Sequence, residues 1–343
     1  MNPNLPIYFH ENQLLHRPKT YLSRGKMREP QEKPERMYQI IQALKSKGYS
    51  IQSPKDFGIA PITEVHSLGF VDFLKNSHQR WMELPEDWGD EVMSNVFIRE
   101  NNRAIGVLAQ AAKYLADGSA PIGPNTWKSV YWSAQTALAC AESLLAGEKR
   151  IVGLTRPAGH HARYDAAGGF CYLNNAAIMA HYLSKHFPRI AIVDTDMHHG
   201  QGVQEIFYRR KDVLYVSVHG DPVNFYPVVA GFADEHGEGE GFGYNRNYPL
   251  PHGSTEETWL KTVDEALDYA MSFAPDILIH ISGFDVYHDD PQAKVKASTS
   301  AFTVLGDKLK SLNLPTISLV EGGYHVEKLG ENMLAFMQGF DGE

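Results

Sequence analysis

Between residues 150 and 324 the chain alternates short apolar, β-branched runs with amphipathic segments of helical period, and this alternation leaves few folds open. The apolar runs are RIVGLTRPAG, RIAIVDTDMHH, VLYVSVHG, DILIHISGFD and TISLVEGGYH. The helical segments include NNAAIMAHYLSKHF, TWLKTVDEALDYAMSF and STSAFTVLGDKLKSL. Continuously apolar strands separated by helices predict an α/β fold with a parallel sheet covered on both faces. In such sheets the working residues collect beyond the carboxyl ends of the strands. All five runs end in Gly, His, Asp or Tyr residues, so one sheet edge is expected to carry the chemistry.

The first half is less regular. Residues 34–47 (PERMYQIIQALKSK) read as a helix, as do residues 102–117, an Ala-rich stretch stopped by Asp117-Gly118. Residues 83–101 and 231–247 have no clear period and read as long loops, which are commonly functional. No repeat or interdomain linker is visible, so one domain over residues 1–343 is expected.

Composition excludes several classes. A formal charge of −9 offers no basic excess to neutralise phosphates, which argues against nucleic acid. The acidic surplus suits solubility, and also a cationic substrate. Cys140 and Cys171 are too few for a disulfide framework, and Cys140 reads as a buried small hydrophobe. With no signal-like N-terminus and no membrane-length apolar run, the expected location is the cytoplasm.

The strongest chemical signal is Asp194-Thr195-Asp196-Met197-His198-His199-Gly200, after the strand RIAIV. If the segment stays extended, Asp194, Asp196 and His198 share one face. Two carboxylates buried together need a compensating cation, which a metal supplies. Ser282-Gly283-Phe284-Asp285 adds a carboxylate from another strand. Asp196, His198 and Asp285 then make a three-ligand set with room for water, the catalytic pattern for zinc. Asp289-Asp290-Pro291 reads as a turn or helix cap. His160 and His161 lie beyond another strand, placed to act as bases. Tyr324, in Glu321-Gly322-Gly323-Tyr324, offers a hydroxyl to a developing oxyanion. Gly168-Gly169-Phe170-Cys171-Tyr172 and Phe225-Tyr226-Pro227 could wall a narrow apolar tunnel.

In order, RPAGHHA, GGFCYLNNAA, VDTDMHHGQGVQ, SGFD with HDDP, and EGGY resemble the arginase–deacetylase fold, within it the histone deacetylase and acetylpolyamine amidohydrolase family. The resemblance implies a three-layer fold and zinc on Asp196, His198 and Asp285, with Fe(II) also compatible with that donor set. It implies that His160 and His161 handle the water proton and the leaving amine, with His161 the principal base and acid, and that Tyr324 polarises the amide carbonyl. It makes Asp194 the orienter of His160 and a ligand of a structural potassium ion, with Ser217 and Val218 beside that ion. It casts Gly169, Phe170 and Tyr226 as tunnel walls, Gly169 accepting a hydrogen bond from the scissile N–H.

At Gln201 the family usually has Asp or Asn to orient the second histidine, so a longer neutral amide should favour the cationic form of His161 less. A binuclear ureohydrolase would need a carboxylate at Tyr287. The segment from EDWGDEV to GPNTW resembles the loop inserted around 83–126 in the bacterial acetylpolyamine amidohydrolases, which implies a homodimer and a narrowed site. Trp88 and Asp90, with Glu86, Asp87 and Glu91, could attract polyamine ammonium groups through charge and cation–π contact. The expected activity is removal of acetyl groups from acetylated polyamines, with deacetylation of protein lysine the alternative and a non-catalytic acyl-amine binding module a remoter one.

Overall fold

The structure is a computed structural model that describes residues 5–342. Its centre is an eight-stranded sheet in which every neighbouring pair runs parallel. In spatial order the strands are β4 (Ile51–Gln52), β1 (Ile7–Tyr8), β5 (Arg150–Leu154), β12 (Thr316–Val320), β10 (Ile277–Ser282), β6 (Ile190–Asp194), β7 (Val213–Gly220) and β8 (Asn245–Leu250). Two small pairs lie apart: antiparallel β2 (Tyr21–Ser23) with β3 (Lys26–Arg28), and parallel β9 (Ser254–Thr255) with β11 (Val295–Lys296).

Strand alternation divides the core in two. On one face Val152, Leu154, Ala191, Val193, Leu214 and Val216 pack under α1 (Glu35–Ser46), α8 (Glu256–Ser272), α9 (Thr299–Ser311) and α10 (Val326–Met337). On the other, Ile151, Ile190, Ile192, Val213 and Tyr215 meet α2 (Ala60–Thr63), α3 (Leu68–Met82), α4 (Gly106–Tyr114), α5 (Thr126–Leu145), α6 (Asn175–Leu183) and α7 (Gln201–Phe207). Strands β6, β7, β10 and β12 are buried along their whole length, which is why their sequence is apolar without alternation. Each buried Ile, Leu or Val contributes about 1.5–3 kcal/mol of transfer free energy.

The strand order positions the site. After β5 the chain crosses to β6, and only later returns to fill the gap with β10 and β12. The carboxyl ends of β5, β12, β10 and β6 are therefore neighbours. They deliver residues 155–161, 321–324, 283–285 and 195–201 to one rim, the topological switch where α/β sheets bind ligands.

Three local expectations are corrected, and two short strands form where none was expected. The helix expected over 102–117 is shorter, because Leu115 bridges to Ala167 and Ala116 N–H donates to the Ala167 carbonyl (2.7 Å), taking the chain out of helix after Tyr114. The loop expected over 231–247 ends early: Asn245 starts edge strand β8, whose poor intrinsic strand preference is overridden by pairing with β7 and by Gln204 accepting from Asn245 and Asn247. Two-residue strands β1 and β4, too short to leave a period, come from the irregular first half. The Asp194–His198 segment is not extended; β6 stops at Asp194, and Asx-type turns take over as Asp194 Oδ1 accepts from Asp196 N–H (3.0 Å) and Asp196 Oδ1 from His198 N–H (2.9 Å).

Candidate active site

Three of the expected side chains meet at the rim. The ligand-capable atoms of Asp196, His198 and Asp285 lie within 4.8 Å of one another, and all three residues are buried. His198 Nδ1 faces Asp285 Oδ2 at 3.0 Å and Asp196 Oδ1 at 3.3 Å. The main chain aims the carboxylates: Met197 N–H donates to Asp285 Oδ1 (3.0 Å) and Gly322 N–H to Asp196 Oδ2 (2.9 Å). Burial and the adjacent Asp196 carboxylate push Asp285 up to about 7 despite His198. Burial opposes ionisation of Asp196 too, but His160 and His198 outweigh it and hold that carboxyl low. Burial would lower His198, yet the two carboxylates lift it to about 9. Two buried carboxylates and an imidazole nitrogen turned on one point form a donor set that fits a divalent cation.

A second buried group, His160, Cys171 and Glu321, also lies within 4.8 Å. It is a poorer ligand set. Burial drives the Cys171 thiol well above its ordinary value and Glu321 up to about 7. Glu321 Oε2 is moreover engaged by the N–H groups of Gly159 (2.5 Å) and His160 (3.2 Å), so Glu321 shapes the histidine loop.

His160 and His161 stand side by side, ring centroids 3.9 Å apart, in different electrostatic settings. His160 Nδ1 meets Asp194 Oδ2 at 3.0 Å, and Tyr215 OH donates to the same oxygen (2.9 Å). Burial alone would lower His160; Asp194 and Asp196 reverse that and raise it to about 10. His161 Nδ1 instead faces the neutral amide of Gln201, at 2.6 Å from Oε1. Burial, reinforced by His160 and His198, holds it well below its ordinary value. The pair thus divides into a cationic and a neutral imidazole, and the neutral one is fit to accept a proton.

Tyr324 lines the cavity above this site. Burial pushes its phenol well above the ordinary range, although Arg36 opposes this, so it remains a hydroxyl donor. The Arg36 guanidinium lies 4.9 Å from the Tyr324 ring centre and donates to the Gly323 and Glu321 carbonyls, while Asp290 Oδ2 accepts from Tyr324 N–H (2.6 Å) and His325 N–H (2.9 Å). Asp290 therefore shapes a turn, as the sequence suggests, and also fixes Tyr324.

The cavity encloses about 410 Å³ and is lined by Gly169, Phe170, Phe225 and Tyr226 together with His161 and His198. Gly169 (φ 56°) and Phe170 (φ 66°) both adopt left-handed backbone, which turns the Phe170 ring edge-on to Tyr324 at 5.8 Å. Ser217 sits opposite Asp194 in the β6–β7 register, with Val218 next to it, both buried. Trp88 and Asp90 do not line this cavity within the chain. Trp88 packs edge-on to Trp81, and Asp90 pairs with Lys19 beside a separate cavity, so a local partner takes each side chain.

Sequence reasoning missed Asp117, a carboxylate in the cavity wall hidden in what reads as a helix stop. It also missed the buried cluster in which Glu32 accepts from both Arg36 (3.0 Å) and Arg156 (2.8 Å) behind the rim. Glu32 and Arg36 are four residues apart, but Arg156 joins them from a distant segment, and Asp117 meets Gly169 and Tyr226 from equally separate segments, so neither cluster is complete in any local stretch.

A neutral imidazole beside a charged one, a phenol in the wall of the same cavity and a buried trio with the donors a divalent cation takes make a site suited to hydrolysing an amide with a metal's help. That class, metal-dependent deacetylases, is also where similarity puts the chain: it belongs to the histone deacetylase domain family, whose model matches residues 30–340. It is 57% identical over 333 residues to the acetylpolyamine amidohydrolase of Burkholderia pseudomallei (strain 1710b), covering 97% of this chain and 98% of that one. It is 38% identical over 345 residues to acetylpolyamine amidohydrolase 1 of Pseudomonas aeruginosa PAO1, covering 98% and 99%. The crystal structure of the acetylpolyamine aminohydrolase from Burkholderia pseudomallei superimposes with a TM-score of 0.97 at 56% identity, covering 99% of both chains.

Proposed function

We propose that this protein removes acetyl and other short acyl groups from acetylated polyamines such as acetylputrescine and acetylcadaverine. Near-full-length 57% identity to a protein named for that activity is the observation that carries this reading. The cavity of about 410 Å³, walled by Gly169, Phe170, Phe225 and Tyr226, suits an acylated amine.

The metal is zinc in this reading, with Fe(II) the competitor, held by Asp196, His198 and Asp285. When bound it would polarise the substrate carbonyl and lower the pKa of a water towards ~7. The chain's own groups do the rest. His161, neutral, takes the water proton and returns it to the leaving amine. His160, kept cationic by Asp194, stabilises the negative charge of the transition state. Tyr324 donates its hydroxyl to the carbonyl oxygen as that oxygen gains charge, and the Gly169 carbonyl is the acceptor for the scissile N–H.

We also read the chain as one domain, located in the cytoplasm, with a structural potassium ion at Asp194, Ser217 and Val218. The Asp194–Ser217 register supports the ion site. The insert around 83–126 is read as a homodimer contact, supported by exposed Val96, Phe97 and Ile105.

Steady-state hydrolysis of acetylputrescine, acetylcadaverine and an acetyl-lysine peptide by zinc-loaded protein tests the reading. The expected result is a clear kcat/KM preference for the polyamines, with Tyr324→Phe losing about 10²–10³ in kcat. Preference for the peptide would make this a protein deacetylase.

A further inference from the structure

His161 meets an amide, and an amide can present either an oxygen or an NH₂ group, so something must decide which way Gln201 faces. Gln201 Nε2 donates to Tyr226 OH at 3.3 Å, and Tyr226 OH donates to Asp117 Oδ2 at 2.8 Å. The polarity of the chain is set at its far end. Gly169 N–H donates to Asp117 Oδ2 (3.3 Å), and Ser119 N–H to Asp117 Oδ1 (2.8 Å). Both are main-chain donors that cannot be reversed, and the Ser119 hydroxyl is a third donor to the carboxylate, its second at Oδ1. Asp117 therefore accepts, and Tyr226 spends its only proton on it. The phenol oxygen is left to accept from the Gln201 NH₂, which turns Gln201 Oε1 towards His161. An oxygen at 2.6 Å from Nδ1 requires the proton on Nδ1, which leaves the Nε2 lone pair free.

We propose that Asp117, Tyr226 and Gln201 form a polarity relay that fixes the base-competent tautomer of His161, with Tyr226 and Gln201 as positioning residues and Asp117 as its anchor. The inference rests on the deacetylase reading of the site. It gives Tyr226 a task beyond walling the cavity, and it explains how an amide serves where a carboxylate would need no such help. A carboxylate at position 201 can only accept. Gln201 can flip, so this chain needs the Tyr226 hydroxyl to hold it.

The test is a rescue. Tyr226→Phe removes the hydroxyl and keeps the ring. The amide can then turn its NH₂ towards Nδ1 and stabilise the unproductive tautomer, so kcat is expected to fall about 10- to 100-fold, less than the ~10²–10⁴-fold of a general base lost outright, with KM nearly unchanged. Adding Gln201→Glu to Tyr226→Phe should restore most of kcat, because Glu accepts from Nδ1 in either orientation. Histidine ¹⁵N–¹H correlation spectra of the metal-loaded protein, with the His161 signals assigned by His161→Ala, give a readout independent of turnover. The proton should lie on Nδ1 in the wild type and shift towards Nε2 in Tyr226→Phe. Unchanged kcat in Tyr226→Phe, failure of Gln201→Glu to rescue, or an Nε2-protonated His161 in the wild type would overturn the relay. Absence of deacetylase activity in the wild type, with the tautomer as expected, would instead count against the assigned reaction.

Discussion

Asp196 is pressed between two glycines, and that contact decides how firmly the proposed metal ligands are held. A Cβ at Gly283 would meet Asp196 Oδ2 at 2.5 Å, and one at Gly322 would collide with Asp196 Oδ2 and reach Asp285 Oδ2 at 2.7 Å. Close approach, not turn geometry, is what these positions require. Gly322→Ala is expected to displace both carboxylates and weaken metal binding about 10- to 100-fold, as disruption of a ligand's supporting shell does. Competition with a chromophoric chelator measures this directly, and unchanged affinity would show that the carboxylates have room to move. Most of the candidate site was legible because its side chains are chemically unusual for strand ends; Asp196, His198 and Asp285 stand out against apolar runs. Asp117 was not legible, since nothing local distinguishes it from any Asp-Gly turn.

At the scale of elements, His66 joins the α2–α3 turn to the start of α6. Its Nε2 accepts from Asn174 N–H at 2.9 Å, while Nδ1 faces the Tyr164 carbonyl at 3.3 Å, so the buried ring is needed neutral. Burial lowers it to about 4, against 6.5 when unfolded. Between those values the unfolded chain binds the extra proton, so this contribution is fully present above pH 6.5 and is lost as pH falls towards 4. Chemical denaturation at several pH values should show His66→Asn to be less pH-sensitive than the wild type over that window; equal slopes would remove His66 from the account. The long, fully buried strands β6, β7, β10 and β12 could be read from their apolar runs. Strands β1, β4 and β8 could not, because two-residue strands and an Asn-rich edge strand owe their form to pairing rather than to propensity.

For the whole molecule, the return of β10 and β12 between β5 and β6 is what assembles the site, since it sets four carboxyl strand ends side by side. That order is not written in any local segment; it follows from which apolar strands bury best together. The central claim is that the resulting rim holds one catalytic metal on Asp196, His198 and Asp285. Its most direct test is to strip the protein with a chelator and titrate zinc back while following acetate release from acetylputrescine. The account predicts an inactive apoprotein whose activity saturates at one equivalent of zinc per chain, and an Asp285→Asn variant with sharply weakened zinc binding. Full activity without metal, or a requirement for two equivalents, would contradict it.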